Sequence, residues 1–189
     1  MTATDTKSSP GDEVNVLLQR LIRDVPDFPE PGVLFKDITP LLADHAAFTT
    51  IVDALAAAGR DADDAVVVDK VAGIEARGFI LAAPVALLLG VGFVPVRKAG
   101  KLPGTTHSQT YDLEYGTATL EVAGDAFSAG DRVLLIDDVL ATGGTAAATA
   151  TLVEACGASV SAIAVLIELG FLDGRTALTG HRLVALTTV

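Results

Sequence analysis

Apolar residues recur along this chain with two different periods, and the alternation of those periods predicts its architecture. Val14, Leu17, Leu18, Leu21, Ile22 and Val25 fall at helical spacing, so a helix is expected over residues 14–25. Pro26, Pro29 and Pro31 then impose an extended path, with Pro31-Gly32 as a turn. Residues 48–58 predict a second helix, stopped by Gly59. Ala65-Val66-Val67-Val68-Asp69 is short and β-branched and predicts a central strand. An uncharged helix is expected from Phe79 to Leu89, followed by a strand over residues 92–96. Val133-Leu134-Leu135-Ile136 is an apolar run of the buried-strand kind, and an alanine-rich helical segment follows over residues 146–155. Residues 160–169 and 183–189 are the last strand candidates. Strands alternating with helices predict an α/β fold with a mainly parallel central sheet flanked by helices, whose ligands lie at the carboxyl edge of the strands.

Three stretches depart from that pattern. Residues 99–112 show no apolar periodicity and are rich in Gly, Pro, Thr and Ser. Such a length without regular structure predicts a mobile functional loop. Residues 113–122 read as a strand or hairpin. Residues 1–12 are polar and lack an apolar core, which reads as a disordered tail and not a signal peptide, leaving 13–189 as a single domain. The uncharged run from Phe79 to Val96 approaches membrane-spanning length, but Pro84, Gly90, Gly92 and Pro95 divide it into a buried helix and a strand.

Composition narrows the function. A length of 189 residues, half of them hydrophobic, suits one domain with a sizeable core. The net charge of −11 argues against broad contact with nucleic-acid phosphates. The charges are unevenly placed, however. No acidic residue lies between Ala76 and Tyr111, while Arg77, Arg97, Lys98 and Lys101 all do. A locally basic stretch on an acidic protein indicates a focused site for a small polyanion. The single cysteine, Cys156, excludes an intrachain disulfide and fits a reducing cytosol. His45, His107 and His181 show no metal-ligand spacing.

The chemistry concentrates between Val133 and Thr145. Asp137 and Asp138 end the apolar run and can accept hydrogen bonds from the hydroxyls of a ribose. Thr142, Gly143, Gly144 and Thr145 can wrap N–H groups and hydroxyls around a phosphate at the start of the next helix. No Lys follows the glycines, so this is not a Walker A loop, and no G-x-G-x-x-G is present.

The string of apolar strand, Asp-Asp and Ala-Thr-Gly-Gly-Thr resembles the phosphoribosyl-pyrophosphate (PRPP) motif of the type I phosphoribosyltransferases. Four further segments extend the likeness, from about Leu17 through Leu169, to the adenine phosphoribosyltransferase family: residues 28–38, 75–79, 94–103 and 111–116. The resemblance implies a type I phosphoribosyltransferase-like fold with a small N-terminal hood over about residues 13–45 and a mobile catalytic loop over about 99–112. It implies transfer of 5-phosphoribosyl from PRPP to adenine, giving AMP and pyrophosphate in purine salvage. It also implies Mg²⁺ bound mainly through PRPP and pyrophosphate, a homodimer, a cytoplasmic location, and neither nucleic acid nor membrane as partner.

Residue by residue, the resemblance assigns Asp137 and Asp138 to the ribose hydroxyls, and Ala141, Thr142, Gly143, Gly144 and Thr145 to the 5′-phosphate. Glu75, Ala76, Arg77, Arg97, Lys98 and Lys101 fall at the pyrophosphate. Leu34, Phe35, Lys36 and Tyr115 fall at adenine. Glu114 is expected as general base for the imidazole proton of adenine, with Arg77 as the second catalytic residue; no residue is assigned directly to the metal. Family members often carry Arg where this chain has Lys36, and Lys cannot make the planar two-pronged contact of Arg. Other readings stay open: a phosphoribosyltransferase for xanthine or guanine, a regulatory protein that keeps the PRPP fold without turnover, or a mononucleotide-binding module.

Overall fold

The computed structural model describes residues 10–112 and 116–189. The chain divides into two compact units, residues up to Ile51 and Val52–Val189.

In the first unit, α1 (Pro10–Leu21) begins inside the expected tail and ends before Val25. Arg23–Pro26 forms β1 instead and pairs antiparallel with β2 (Leu34–Asp37), placing Asp24 opposite Lys36 and Val25 opposite Phe35. The apolar spacing carried past the helix end because Pro26 disfavours helical geometry at Val25, a constraint that periodicity does not register. The short α2 (Thr39–Ala43) carries Pro in its first turn, where a missing N–H costs nothing. Asp44 accepts the Ala47 N–H at 3.0 Å and caps the start of α3 (His45–Ala56), which crosses the boundary between the units. Leu18, Ile38, Leu41 and Ile51 are fully buried.

The second unit is built on a seven-stranded sheet in the order β5-β6-β4-β3-β7-β8-β9. Its strands are β3 (Lys70–Ile74), β4 (Gly92–Lys98), β5 (Thr106–Asp112), β6 (Thr117–Ala123), β7 (Arg132–Leu140), β8 (Ser159–Glu168) and β9 (Leu183–Thr188). The run from β4 to β9 is parallel throughout, and β6 joins β4 and β5 in antiparallel pairing. The mostly parallel sheet flanked by helices is therefore as the sequence pattern predicts. Alternate residues of β7 serve different faces. Val133 and Leu135 share a core with Ala146, Leu152 and Val153 of α5 (Gly144–Ala155). On the other face, Gly78 of α4 (Arg77–Leu89) lies so close to the β7 backbone that an added Cβ would stand 2.8 Å from the Ile136 carbonyl oxygen.

Two expectations shift. The central strand is Lys70–Ile74, and the valine run at residues 65–69 leads into it. Val66 is 36% exposed and forms only an isolated bridge to Arg60. The true strand holds Gly73 because α4 packs against it: a Cβ there would come 2.7 Å from the Ala82 Cβ. An interior glycine counts against a strand in any propensity reading. The second shift concerns residues 99–112, expected to lack regular structure, in which Thr106–Asp112 forms β5. This ribbon is largely exposed, so it has no apolar face to give an alternation. It pairs by main chain and by contacts such as Thr110 Oγ1 to Thr119 Oγ1 at 2.8 Å. Among the described residues no helix is long and apolar enough to cross a membrane.

Candidate active site

The carboxyl ends of β3, β4 and β7 bring chemistry together in the second unit. Asp137 and Asp138 lie near the end of β7, just before the loop to α5. Asp138 is only 5% exposed. Its Oδ2 finds no aligned hydrogen-bond donor among the described residues, although the Arg77 Nε lies 2.7 Å away. Asp137 Oδ1 accepts the Asp138 N–H at 2.9 Å. Burial and the neighbouring Asp138 charge push the Asp137 carboxyl well above the ordinary carboxylate range, against the opposing pull of that N–H and of Arg77.

Beside this pair, Val139 through Ala146 enclose a small cavity of about 80 Å³. Gly143 sits at φ 84°, which suits glycine, and immediately precedes α5. Among the described residues no side chain caps this helix N-terminus, so its N–H groups and positive dipole end are available to an anion. Tyr111 reaches across from β5, its hydroxyl 3.0 Å from Thr145 Oγ1. A larger cleft of about 420 Å³ lies alongside, walled by Glu75, Arg77, Lys98, Tyr111, Asp137 and Thr145, with Ala76 also in its lining.

The cations gather around one carboxylate. Glu75 Oε2 accepts the Lys98 N–H at 3.0 Å and faces Arg97 Nε at 3.3 Å, while Oε1 pairs with the Lys101 ammonium. Arg97 also donates to the Lys101 carbonyl at 3.1 Å. Burial works against the Glu75 charge, yet the hydrogen bonds from Lys101, the Lys98 N–H and Arg97, with the Lys101 charge, hold its carboxyl below the ordinary range. Glu75 thus ties together the residues expected at a pyrophosphate.

The expected base-site residues Leu34, Phe35 and Lys36 belong to β2 in the first unit. Leu34 is half-exposed, Phe35 meets Phe28 edge-on at 5.1 Å, and the Lys36 ammonium is held by Asp24 at 2.7 Å across the β1–β2 pair. Glu114 and Tyr115 lie outside the described residues. Within the second unit, Asp137, Asp138, Glu75, Ala76, Arg77, Lys98 and the 141–145 loop converge on adjoining cavities, and Arg97 and Lys101 stand behind them on Glu75. Pattern reading left Tyr111 without a role. Its signal was its position where the polar stretch meets a motif segment. Among the described residues no group of three or more His, Cys, Asp or Glu could hold a metal ion.

A parallel sheet with an acidic pair, a glycine-threonine loop at a helix N-terminus and clustered cations at one edge is the frame of a phosphoribosyl-transferring protein. Residues 41–176 match the phosphoribosyl transferase domain. An adenine phosphoribosyltransferase of Nocardioides is 68% identical over 182 residues, covering 95% of this chain and 98% of the relative. The crystal structure of adenine phosphoribosyltransferase from Rhodothermus marinus superposes with a TM-score of 0.88 at 47% identity, covering 94% of this chain and 99% of that one. The Saccharomyces cerevisiae enzyme, solved with adenine and an imino-altritol bisphosphate, gives a TM-score of 0.86 at 39% identity over 94% of this chain and 98% of that one. The chain therefore belongs to the phosphoribosyltransferase family, and its relatives place it among the adenine phosphoribosyltransferases.

Proposed function

We propose that the protein transfers the 5-phosphoribosyl group of PRPP to adenine, forming AMP and pyrophosphate for purine salvage. The observation that carries this reading is the buried Asp137–Asp138 pair, with one Asp138 oxygen lacking an aligned donor beside a helix N-terminus open to phosphate. Ribose hydroxyls are donors of the kind such oxygens accept. The loop from Ala141 to Thr145 receives the 5′-phosphate through main-chain N–H groups. Arg77, Arg97, Lys98 and Lys101 surround the pyrophosphate, where negative charge builds as the bond to the anomeric carbon breaks. Arg77 turns from Asp138 towards pyrophosphate and leaves the carboxylate to the ribose.

Glu114 takes the imidazole proton of adenine as the ring nitrogen attacks. Leu34 and Phe35 supply apolar packing to the base together with Tyr115, and the β2 main chain at Leu34–Lys36 its hydrogen bonds. The Lys36 ammonium, engaged by Asp24, leaves that contact to the backbone. The segment over about residues 99–112 covers the reactants and keeps water from PRPP. Mg²⁺ would be held mainly by substrate oxygens and water, since this ion commonly keeps its waters. When bound, the ion neutralises charge on the pyrophosphate.

A homodimer is favoured by the bare apolar stripe on α4, where Ile80, Leu87 and Leu88 are exposed, Leu87 by 83%. A cytoplasmic location accords with the lone cysteine. The test is turnover with PRPP and Mg²⁺ against adenine, hypoxanthine, guanine and xanthine in turn. Conversion of adenine alone is expected; conversion of an oxopurine would reject the base assignment, and no turnover with PRPP bound would favour a regulatory role. Glu114→Gln is expected to lower kcat far more than PRPP affinity, and unchanged kcat would remove Glu114 as general base.

A further inference from the structure

We propose that Glu168 and Arg175 are positioning residues for the 5′-phosphate loop, acting from the side opposite the ligand. Glu168 ends β8, beside Leu140 of β7 and Thr188 of β9 in the parallel register. Its carboxylate is buried and gripped from two sides. Arg175 Nε donates to Oε1 at 2.6 Å and Nη2 to Oε2 at 2.7 Å, and Thr188 Oγ1 donates to Oε2 at 3.3 Å. Both Arg175 donors engage the fork in the two-pronged geometry that fixes orientation as well as distance.

Arg175 follows Gly174, and Gly174 is pressed against the phosphate loop. A Cβ at Gly174 would collide with the Ala141 carbonyl oxygen and stand 3.1 Å from the Gly143 nitrogen. A Cβ at Gly143 would in turn collide with the Gly174 carbonyl and come 2.9 Å from the Ala177 Cβ. The Leu169 N–H bonds to the Leu140 carbonyl at 2.9 Å, tying the two strand ends just before these turns. The loop is thus sandwiched between its anion site and the 174–177 turn. With no side-chain cap at Gly143, that backing is what defines where its N–H groups point.

Glu168 is buried but the Arg175 side chain is half-exposed, and an ion pair with one exposed partner contributes little to stability. Fixing a geometry is the better reason for one here. Neither Glu168 nor Arg175 lines the cavities at Asp137 and Thr145, so neither touches substrate. Their effect passes through Gly174 and Gly143.

This inference rests on the assignment of the 141–145 loop to the 5′-phosphate, and the experiment separates the two. Binding of ribose 5-phosphate and of pyrophosphate is measured by calorimetry for the wild type, Arg175→Met, Arg175→Lys and Glu168→Gln, with kcat and the KM for PRPP alongside. Misplaced binding groups typically cost an order of magnitude or more, so Arg175→Met is expected to weaken ribose 5-phosphate binding and raise the KM for PRPP roughly tenfold. Pyrophosphate affinity and kcat should stay within about twofold, since the site's cations are untouched. Arg175→Lys keeps the charge without the fork and should recover part of the loss. Should Arg175→Met fail to fold, Glu168→Gln, which preserves shape, carries the same expectation. Parallel loss of both ligands, or loss of neither, would overturn the positioning role. Failure of the wild type itself to bind ribose 5-phosphate would overturn the phosphate-loop assignment and this inference with it.

Discussion

Two carboxylate sites at the ends of neighbouring strands have opposite environments. Glu75 follows β3, and Asp137 and Asp138 end β7, which pairs with β3 in parallel. Around Glu75 two cationic side chains and a main-chain N–H converge, and its carboxyl is held below the ordinary range. The β7 pair has two adjacent carboxyls and one nearby cation, Arg77, 2.7 Å from Asp138. Burial and mutual repulsion raise the Asp137 carboxyl, and Asp138 keeps an oxygen without an aligned donor. A carboxylate already satisfied is an organiser of its neighbours. One that is crowded and short of donors is poised for a ligand, and clefts are where such perturbed groups gather. The contrast separates the residue that organises the cations from the pair proposed to hold substrate, though both are acidic and lie within one sheet edge.

The largest effect should come from the ligand-facing pair. Asp138→Asn removes a charged acceptor, and hydrogen bonds to charged groups contribute about 1.5–3 kcal/mol, so PRPP affinity should fall roughly tenfold to a hundredfold by calorimetry. Unchanged affinity would strip the pair of its ribose role. Glu75→Gln should act more mildly and elsewhere. With Arg97 and Lys101 loosened, pyrophosphate inhibition should weaken roughly threefold to tenfold while ribose 5-phosphate binding is kept, the scale of one ordinary hydrogen bond of about 0.5–1.5 kcal/mol. A Glu75→Gln variant that loses both ligands equally would dissolve the distinction.

The smallest effect is in pH dependence, where the two sites carry opposite signs. Asp137, with its raised carboxyl, penalises the ligand-free fold above its folded pKa; that penalty shrinks as pH falls below this value and is gone only near the ordinary 3.8. Glu75, with its lowered carboxyl, contributes stability above its unfolded value of 4.5 that is lost as pH falls through the folded one. Melting curves across this range should therefore show any advantage of Asp137→Asn over wild type shrinking with falling pH. The deficit of Glu75→Gln should shrink too, but only below the ordinary glutamate range.

Much of the site could be read from the chain because its residues are contiguous. The order Val133 to Thr145 contains strand, acidic pair, glycine-threonine loop and helix start, each with its own local signature. The parallel sheet was likewise carried by alternating periods. What escaped was set by contacts distant in sequence. The central strand at Lys70–Ile74 was masked by Gly73, which is there because Ala82 of α4 packs against it. β5 was hidden because an exposed polar ribbon has no apolar face. The resemblance assigns Glu75 to pyrophosphate, and only the fold reveals Arg97, the Lys98 main-chain N–H and Lys101 closing on it. Glu168 and Arg175 gave no signal, being seven residues apart with no motif between them.

The most direct test of the contrast is the melting temperature of Asp137→Asn with and without PRPP. Relief of the penalty on a crowded buried carboxyl, on the order of 1 kcal/mol, should raise the ligand-free midpoint at neutral pH by about 2–4 °C for a chain of this size. The additional rise that PRPP gives the wild type should be largely lost. A variant that melts below the wild type without ligand, yet gains as much from PRPP, would contradict the account, because Asp137 would then be a structural carboxylate like Glu75.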